Sequence, residues 1–307
     1  MSPRLPPGLL ALPERDPTWR PWLDALPRAL DALLADWDLV PDGAAVHGEC
    51  AVVLPVRADG REAVLKVTWP HHEAEHEHLA LRHWEGQGAV LLLRADPRRW
   101  ALLLERAQPR DLSTVDDVRA CEVTAGLLAR LHRPAPPQLR LLSERAADWA
   151  GRLAALPRSS PVPHRLVEQA TALCRAFAAD AATDGTLLHA DAHYGNVLAA
   201  TREPWLAIDP KPLSGDPHFE PSPLLWNRWG EVVAHPAGVR AAVRRRLDAA
   251  VDVLDLDPDR ARDWVVVREV VHALWLVEDA AAASRPPTSA EERRLTVAVA
   301  VAKAVQD

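Results

Sequence analysis

One segment, residues 187–198, places several polar residues between two apolar dipeptides. The dipeptides predict buried, strand-like ends, so the polar residues between them are expected on a loop that is fixed at both ends. In this loop the carboxylate of Asp191 and the carboxamide of Asn196 lie five residues apart and can converge on one point. A second carboxylate, Asp209, directly follows the apolar residues 206–208, which predict a buried strand.

These groups are the ones that phosphoryl transfer uses. One carboxylate orients the attacking hydroxyl, a second carboxylate and an amide hold the metal, and a distant lysine contacts the nucleotide phosphates. The order His-x-Asp-x-x-x-x-Asn, followed by an apolar strand and an Asp, matches the catalytic loop and metal-binding Asp of kinases. In this chain the pattern begins at His189. It predicts transfer of a phosphoryl group.

The composition excludes several other classes of function. The chain has 307 residues, with 36 Lys and Arg against 43 Asp and Glu, so its formal net charge is −7. A net acidic surface argues against nucleic acid or an anionic membrane as a partner and is compatible with a cationic small molecule. Three scattered cysteines do not predict disulfides, and no apolar run is long enough to span a membrane. We therefore expect a cytoplasmic protein.

The first third of the chain predicts an antiparallel sheet with one helix. Residues 50–56 and 62–69 flank a turn and predict one hairpin, and residues 90–93 and 100–104 predict another. Residues 73–84 between the hairpins predict a helix. An earlier amphipathic helix is expected between Trp19 and Trp37, with a break or kink at Pro27.

After Pro109 the pattern becomes mainly helical. Helices are predicted at residues 116–132, 165–182 and 264–279, with further helical spacing after about residue 241. We therefore predict an α+β protein with two lobes, an antiparallel-sheet N-lobe over residues 1–107 and a helical C-lobe over residues 108–307.

The loop motif and residues 203–212 resemble the aminoglycoside phosphotransferase family, and within it the branch of streptomycin 6-kinases and hydroxyurea-resistance kinases. The resemblance extends from about residue 46 to the last helices and is most specific from 187 to 229. It implies a two-lobed protein-kinase-like fold with ATP bound between the lobes. It also implies phosphorylation of a hydroxyl group on a small molecule, with streptomycin-like aminoglycosides first. The chain has Ala190 where the family usually has glycine.

The resemblance implies roles for three residues of the C-lobe. Asp191 would act as the catalytic base-like residue that accepts the acceptor hydroxyl. Asn196 and Asp209 would bind Mg²⁺.

It implies nucleotide contacts in the N-lobe as well. Lys66, on a predicted strand, would contact the α- and β-phosphates, and Glu77 on the predicted helix would pair with Lys66. Gly48 lies where the phosphate-covering loop belongs, although that loop has only this one glycine. Backbone groups at Glu105 and Ala107 would hold the adenine.

Candidates for the acceptor pocket lie beside the catalytic segment or on the helix predicted at 264–279. They are His193, Lys211, Asp216, Glu220, Asn227, Glu269, His272 and Trp275. The last three recur at three-residue steps, so they share one helix face that suits a cationic acceptor. Structural alternatives remain open, namely a hydrogen-bonding role for His193, an ion pair of Lys211 with Asp216 or Glu220, and an ordinary half-buried helix.

The sequence leaves two alternatives to an active kinase open. Residues 72–76 match H-E-x-x-H, and on a helix His72 and His76 would share a face with Glu73 as the base of a zinc hydrolase. The crowding of histidines and glutamates in this region makes a chance match the simpler explanation. The second competitor is a kinase-like protein that binds nucleotide without turnover, which Ala190 and the glycine-poor phosphate loop would favour.

Overall fold

The structure is a computed structural model that describes residues 3–14 and 16–306. Contacts between residues divide the chain into two units. The first contains the chain up to Pro109 together with Ala199–Leu206, and the second contains Arg110–Leu198 and the chain from Ala207 onward.

The first unit is built on a six-stranded antiparallel sheet. Its strands are β1 (Leu39–Pro41), β2 (Val46–His47), β3 (Ala51–Ala58), β4 (Arg61–Thr68), β5 (Leu92–Asp96) and β6 (Ala101–Glu105). The order is β1-β3-β4-β6-β5, and β2 also pairs with β3. Both predicted hairpins, β3–β4 and β5–β6, are confirmed. The sheet places Lys66 on the central strand β4, where its side chain is buried.

Three helices accompany this sheet, namely α1 (Pro7–Leu10), α2 (Arg20–Asp36) and α3 (Glu77–Trp84). The break expected at Pro27 is absent, because α2 continues through this residue. An internal proline costs a helix about 3 kcal/mol. Leu26, Leu30 and Leu33 of α2 are fully buried in the core of this unit, and each buried leucine contributes about 1.5–3 kcal/mol, which offsets that cost.

The second unit is mainly helical. Its helices are α4 (Asp117–Leu131), α5 (Leu142–Ala154), α6 (His164–Ala179), α7 (Ser222–Leu225), α8 (Trp229–Ala234), α9 (Gly238–Leu254), α10 (Pro258–Ala282) and α11 (Ser289–Ala304). The predicted α+β fold, with an antiparallel sheet and helix first and a helical part after it, is confirmed. Within the described residues, no helix combines the length and apolar character that crossing a membrane requires.

Four short strands frame the catalytic segment. They are β7 (Thr186–Leu188), β8 (Val197–Ala199), β9 (Trp205–Ala207) and β10 (Leu213–Gly215). β7 pairs with β10, and β8 pairs with β9 in a hairpin. The loop that carries Asp191 is therefore held by a strand at each end, as the apolar dipeptides predicted.

Candidate active site

The buried ring of His189 fixes the start of the catalytic loop. Its Nε2 donates to the backbone oxygen of Ile208 at 3.0 Å, and its Nδ1 accepts from the backbone N–H of Asp191 at 3.2 Å. Burial lowers the pKa of His189 to about 4, so the ring is neutral at pH 7 and can donate through one nitrogen while accepting through the other. His189 therefore has a structural role in this loop.

The side chains of Asp191 and Asn196 meet within the loop. The Nδ2 of Asn196 donates to the backbone oxygen of Asp191 at 2.9 Å and to its Oδ2 at 3.3 Å. Among residues 3–14 and 16–306, no group donates to the other carboxylate oxygen of Asp191. Burial raises the pKa of this carboxyl group, and the nearby His193 and Arg268 oppose the rise. One oxygen of Asp191 is thus available to a hydroxyl donor.

Asp209 lies next to the same loop. The backbone N–H of Ile208 donates to the backbone oxygen of Asn196 at 2.9 Å, and the N–H of Lys211 donates to the oxygen of His189 at 2.9 Å. The Nζ of Lys211 lies 2.9 Å from Oδ1 of Asp209, so Lys211 forms an ion pair with Asp209. The predicted convergence of loop and strand end is confirmed, and the catalytic roles remain predictions.

Two buried charged residues hold the loop backbone at Ala190. The carboxylate of Glu220 accepts from the N–H groups of His189 at 2.6 Å and Ala190 at 3.0 Å. Arg268 donates to the backbone oxygens of Ala190 and Phe219. Burial alone would raise the pKa of Glu220, but the ring of His132 and the other nearby cationic groups hold it below its ordinary value. Glu220 therefore remains an anion that positions the loop.

Four of the predicted acceptor contacts are corrected by the structure, because their side chains are buried and bonded inside the protein. Glu220 holds the catalytic loop, and the carboxylate of Asp216 accepts from Trp264 at 2.7 Å and from Arg260. Glu269 accepts from Ser222 at 2.6 Å, and Asn227 accepts from the backbone of Tyr194 at 3.2 Å. The sequence indicated polar residues near the site without showing that they face inward.

The remaining acceptor candidates are partly exposed. The ring of His193 lies 5.5 Å from the ring of Trp226, and its Nδ1 accepts from the backbone of Gly195 at 3.1 Å. On α10 the rings of His272 and Trp275 lie 5.5 Å apart. These three side chains stay candidates for contact with the acceptor.

In the first unit, Lys66 and Glu77 form a buried ion pair. The Nζ of Lys66 lies 2.7 Å from each carboxylate oxygen of Glu77, the glutamate selected from the sequence. A buried lysine keeps its charge when a bonded carboxylate compensates it. The pair therefore presents a fixed ammonium group on the central strand.

The other predicted nucleotide contacts lie on loops of this unit. Gly48 follows β2, and apart from Gly48 and its two chain neighbours no atom of the described residues lies within 4 Å of the position that a Cβ would take. At the end of β6, the side chain of Glu105 accepts from the backbone of Leu91 at 3.0 Å. Ala107 makes no backbone hydrogen bond to any residue that the structure describes, so its N–H and C=O are available to a ligand.

The donor set at Asn196 and Asp209 fits Mg²⁺. Mg²⁺ prefers oxygen ligands and is usually held by one or two side chains together with substrate phosphates. Asn196 uses its Nδ2 to bond Asp191, so its amide oxygen is left for a metal, and the carboxylate of Asp209 is about one-third exposed.

The zinc alternative is not supported. α3 begins at Glu77, and residues 72–76 form turns in place of the first turn of the helix predicted at 73–84. No side chain caps the N-terminus of this helix, so no capping interaction supports a start as early as His72. Within the described chain no three His, Cys, Asp or Glu residues are grouped to hold a metal ion.

Sequence reasoning missed Arg268 and assigned a different role to Glu220. A signal for Arg268 was present, because it interrupts a run of valines from Val265 to Val271 on a buried helix. A charge among core residues is rarely tolerated without a buried partner. For Glu220 the flanking residues carried no comparable pattern.

Comparisons with known proteins agree with this geometry. The model of a family described as aminoglycoside/hydroxyurea antibiotic resistance kinase matches residues 36–280. The chain is 45% identical over 274 residues to a streptomycin 6-kinase of Streptomyces glaucescens, covering 86% of this chain and 87% of that protein. It is also 45% identical over 272 residues to a hydroxyurea phosphotransferase of Kitasatospora aureofaciens, covering 85% and 76%.

A solved structure shares the fold. A spectinomycin phosphotransferase, in complex with ADP and spectinomycin, matches with a TM-score of 0.63 at 13% identity, covering 91% of this chain and 97% of that one. At this identity the match supports the fold and nothing finer.

Proposed function

Because the chain belongs to the aminoglycoside/hydroxyurea antibiotic resistance kinase family, we propose that it transfers the γ-phosphoryl group of ATP to a hydroxyl group of a streptomycin-like aminoglycoside. Two streptomycin 6-kinases share 40–45% of their residues with this chain over most of its length. The single observation that carries the proposal is the meeting of Asp191, Asn196 and the Asp209 strand end at one loop.

Asp191 is the group that receives the acceptor hydroxyl. Its Oδ2 is held by Asn196, and its other oxygen accepts from no residue in the described part of the chain. A fixed carboxylate orients the hydroxyl oxygen toward the γ-phosphorus and accepts its proton as the new O–P bond forms and the bond to the β–γ bridging oxygen breaks, which releases ADP. Glu220 and Arg268 hold the backbone on either side of Ala190, so this carboxylate needs little rearrangement during the reaction.

Asn196 and Asp209 are the residues that would hold Mg²⁺. Mg²⁺ would neutralise charge on the phosphates of the bound nucleotide. Lys211 adds a positive charge beside Asp209, with an Nζ to Oδ1 distance of 2.9 Å.

The nucleotide contacts come from the first unit. The ammonium group of Lys66, held by Glu77, would bind the α- and β-phosphates. The open space beside Gly48 would let phosphate oxygens approach the backbone, and the free N–H and C=O of Ala107 are suited to the edge of adenine.

A cationic acceptor fits the partly exposed groups of the second unit. The rings of His193, His272 and Trp275 offer aromatic faces to amino or guanidino groups, and the two histidines also have ring nitrogens that can accept a hydrogen bond. The formal net charge of −7 also favours a cationic ligand over an anionic one.

Mass spectrometry tests the reaction and the acceptor together. The protein is incubated with ATP, Mg²⁺ and, separately, streptomycin, other aminoglycosides and hydroxyurea, since a hydroxyurea phosphotransferase is as similar to this chain as a streptomycin 6-kinase is. We expect a mass gain of one phosphate group on streptomycin and none with Asp191→Asn, which keeps the shape of the side chain. Full turnover by this variant would overturn the role of Asp191. Nucleotide binding without any product would favour the inactive kinase-like protein.

A further inference from the structure

The hairpin β8–β9 connects the two residues that would hold the metal. Asn196 immediately precedes β8, and Asp209 follows β9 by two residues. At the base of the hairpin, the N–H of Ile208 donates to the oxygen of Asn196 at 2.9 Å. The tip, Ala199–Leu206, groups with the first unit. The side chain of Arg202, which lies in this tip, makes several hydrogen bonds.

The guanidinium group of Arg202 uses all five of its N–H donors. Two go to the carboxylate of Glu105, from Nε at 3.1 Å and from Nη2 at 2.9 Å. Two go to the backbone oxygens of Gly86 at 2.6 Å and Ala89 at 3.0 Å, and the fifth goes to Glu203 at 3.0 Å. Five is the full donor capacity of arginine, and lysine cannot reproduce this planar two-point contact. The hairpin tip is therefore held in one geometry.

The partners of Arg202 lie beside the proposed nucleotide contacts. Glu105 ends β6, two residues before Ala107, and its carboxylate also accepts from the N–H of Leu91 at 3.0 Å. Gly86 lies just after α3, the helix that begins with Glu77. A second bond, from the N–H of Gln108 to the oxygen of Ala199 at 2.8 Å, fixes the start of the tip.

We infer that Arg202 is a positioning residue, which holds the β8–β9 hairpin so that Asn196 and Asp209 at its base keep the geometry in which they would bind the metal of a metal–nucleotide complex. It touches neither nucleotide nor acceptor. The inference rests on the proposed function, and it adds a residue that none of the predicted roles includes. It requires that loss of the guanidinium group weaken binding of the metal–nucleotide complex more than binding of the nucleotide alone.

Calorimetry on purified protein tests this difference. Binding of ATP is measured with Mg²⁺ and again with EDTA, for the wild type, Arg202→Ala and Arg202→Lys. We expect the affinity for MgATP to fall about tenfold or more in both variants, while the affinity for metal-free ATP falls less than about threefold. Steady-state kinetics should show a raised KM for MgATP with the KM for the acceptor nearly unchanged.

The matched control is Arg99→Ala. Arg99 belongs to the same unit, has the same 33% side-chain exposure as Arg202, and pairs with Asp36 and Asp96 at 2.6 Å. It should lower thermal stability slightly and leave both affinities unchanged. If Arg202→Ala lowers the two affinities equally, or changes only the melting temperature as Arg99→Ala does, Arg202 is a purely structural residue and the inference is overturned.

The role of Arg202 can still be tested if Arg202→Ala does not fold or if the wild type forms no product. If Arg202→Ala does not fold, Arg202→Lys and Glu105→Gln still remove the two-point contact, and both should reproduce the selective loss of MgATP affinity. A wild type that binds MgATP but phosphorylates no acceptor would contradict the proposed function while leaving the affinity comparison to decide on Arg202. A wild type that binds no nucleotide would contradict both.

Discussion

At position 190 the catalytic loop holds an alanine in a backbone conformation that favours glycine. Ala190 has a φ of 62°, in the left-handed region, while its N–H is bonded to Glu220 and its oxygen to Arg268. For a residue with a side chain this conformation costs roughly 1–2 kcal/mol. The departure from the family pattern noted in the sequence therefore falls at a point where the backbone is strained.

We predict that Ala190→Gly stabilises the protein and leaves phosphoryl transfer at least as fast. Relief of the strain exceeds the greater unfolded-state freedom of glycine, about 0.5–1 kcal/mol, so the net gain should be roughly 0.5–1 kcal/mol in urea unfolding. Ala192→Gly is the control, because Ala192 is buried in the same loop without a positive φ and should lose stability. A destabilised Ala190→Gly variant would contradict the strain argument.

The success of sequence reasoning differed from residue to residue. The pairing of Lys66 with Glu77 could be predicted, since a kinase-type lysine on a strand needs a carboxylate from the following helix. The burial of Asp216 and Glu269 could not, because each acquires its partners from segments distant in the sequence, at Trp264 and Ser222. A local pattern shows the type of a side chain but not the direction in which the folded backbone points it.

Among the elements, the strands and hairpins of the first unit were the most predictable, and the helix ends the least. Short apolar runs that contain β-branched residues, separated by a short polar turn, define β3 and β4 within the sequence itself. The start of α3 was placed four residues too early, at Glu73, because His72–His76 has helical composition although these residues form turns in the folded chain. Helix α2 shows the opposite case, in which burial of its leucines overrides a proline.

The last helix, α11, has a complete set of capping interactions that allows an element-scale prediction. The side chain of Thr288 accepts from the N–H of Glu291 at 3.3 Å, and Glu291 accepts from the N–H of Thr288 at 2.6 Å. Arg285 bonds both carboxylate oxygens of Glu291 at 2.7 Å. This ion pair and then the Thr288 N–H lower the pKa of Glu291 to about 2.

We predict that Glu291→Gln is less stable than the wild type at pH 7 and that the difference shrinks as the pH falls. A carboxylate with a depressed pKa in the folded state stabilises above its unfolded pKa of about 4.3, and this contribution is lost as the pH falls from there toward 2. Urea unfolding between pH 7 and pH 3 measures the difference.

Glu292→Gln is the control for this prediction, since Glu292 lies in the same helical turn and accepts from the hydroxyl of Thr296 through its backbone oxygen. It should show a smaller loss of stability at pH 7, from the helix dipole alone. A difference for Glu291→Gln that stays constant with pH would show that its charge does not stabilise the cap.

At the scale of the whole molecule, neither of the two units is one continuous stretch of the sequence. The sequence predicts a division at 107/108, where sheet patterns give way to helical ones. The contacts group the Ala199–Leu206 tip with the chain up to Pro109. No composition change marks this tip, and its position depends on long-range bonds such as those of Arg202 to Glu105, Gly86 and Ala89. Hydrogen bonds between residues that are far apart in the sequence leave no pattern in the local sequence.

Ligand-dependent stability tests the proposed nucleotide contacts. A ligand at 100 times its Kd stabilises the folded state by about 2.7 kcal/mol. With an unfolding entropy of about 2.1 cal/mol/K per residue, this raises the melting temperature of the 307-residue chain by about 4 °C. We predict such a rise for the wild type with MgATP.

Variants at three positions should separate the contributions to that rise in melting temperature. Asp191→Asn should keep the whole rise, because the contact that we propose for Asp191 is with the acceptor and not with the nucleotide. Lys66→Met should lose most of it with or without Mg²⁺, since the phosphates lose the ammonium group that Glu77 holds. Asp209→Asn should lose only the part that depends on Mg²⁺. Equal rises of the melting temperature in Lys66→Met and the wild type would show that the nucleotide does not bind through Lys66. The roles proposed for the two units would then be wrong.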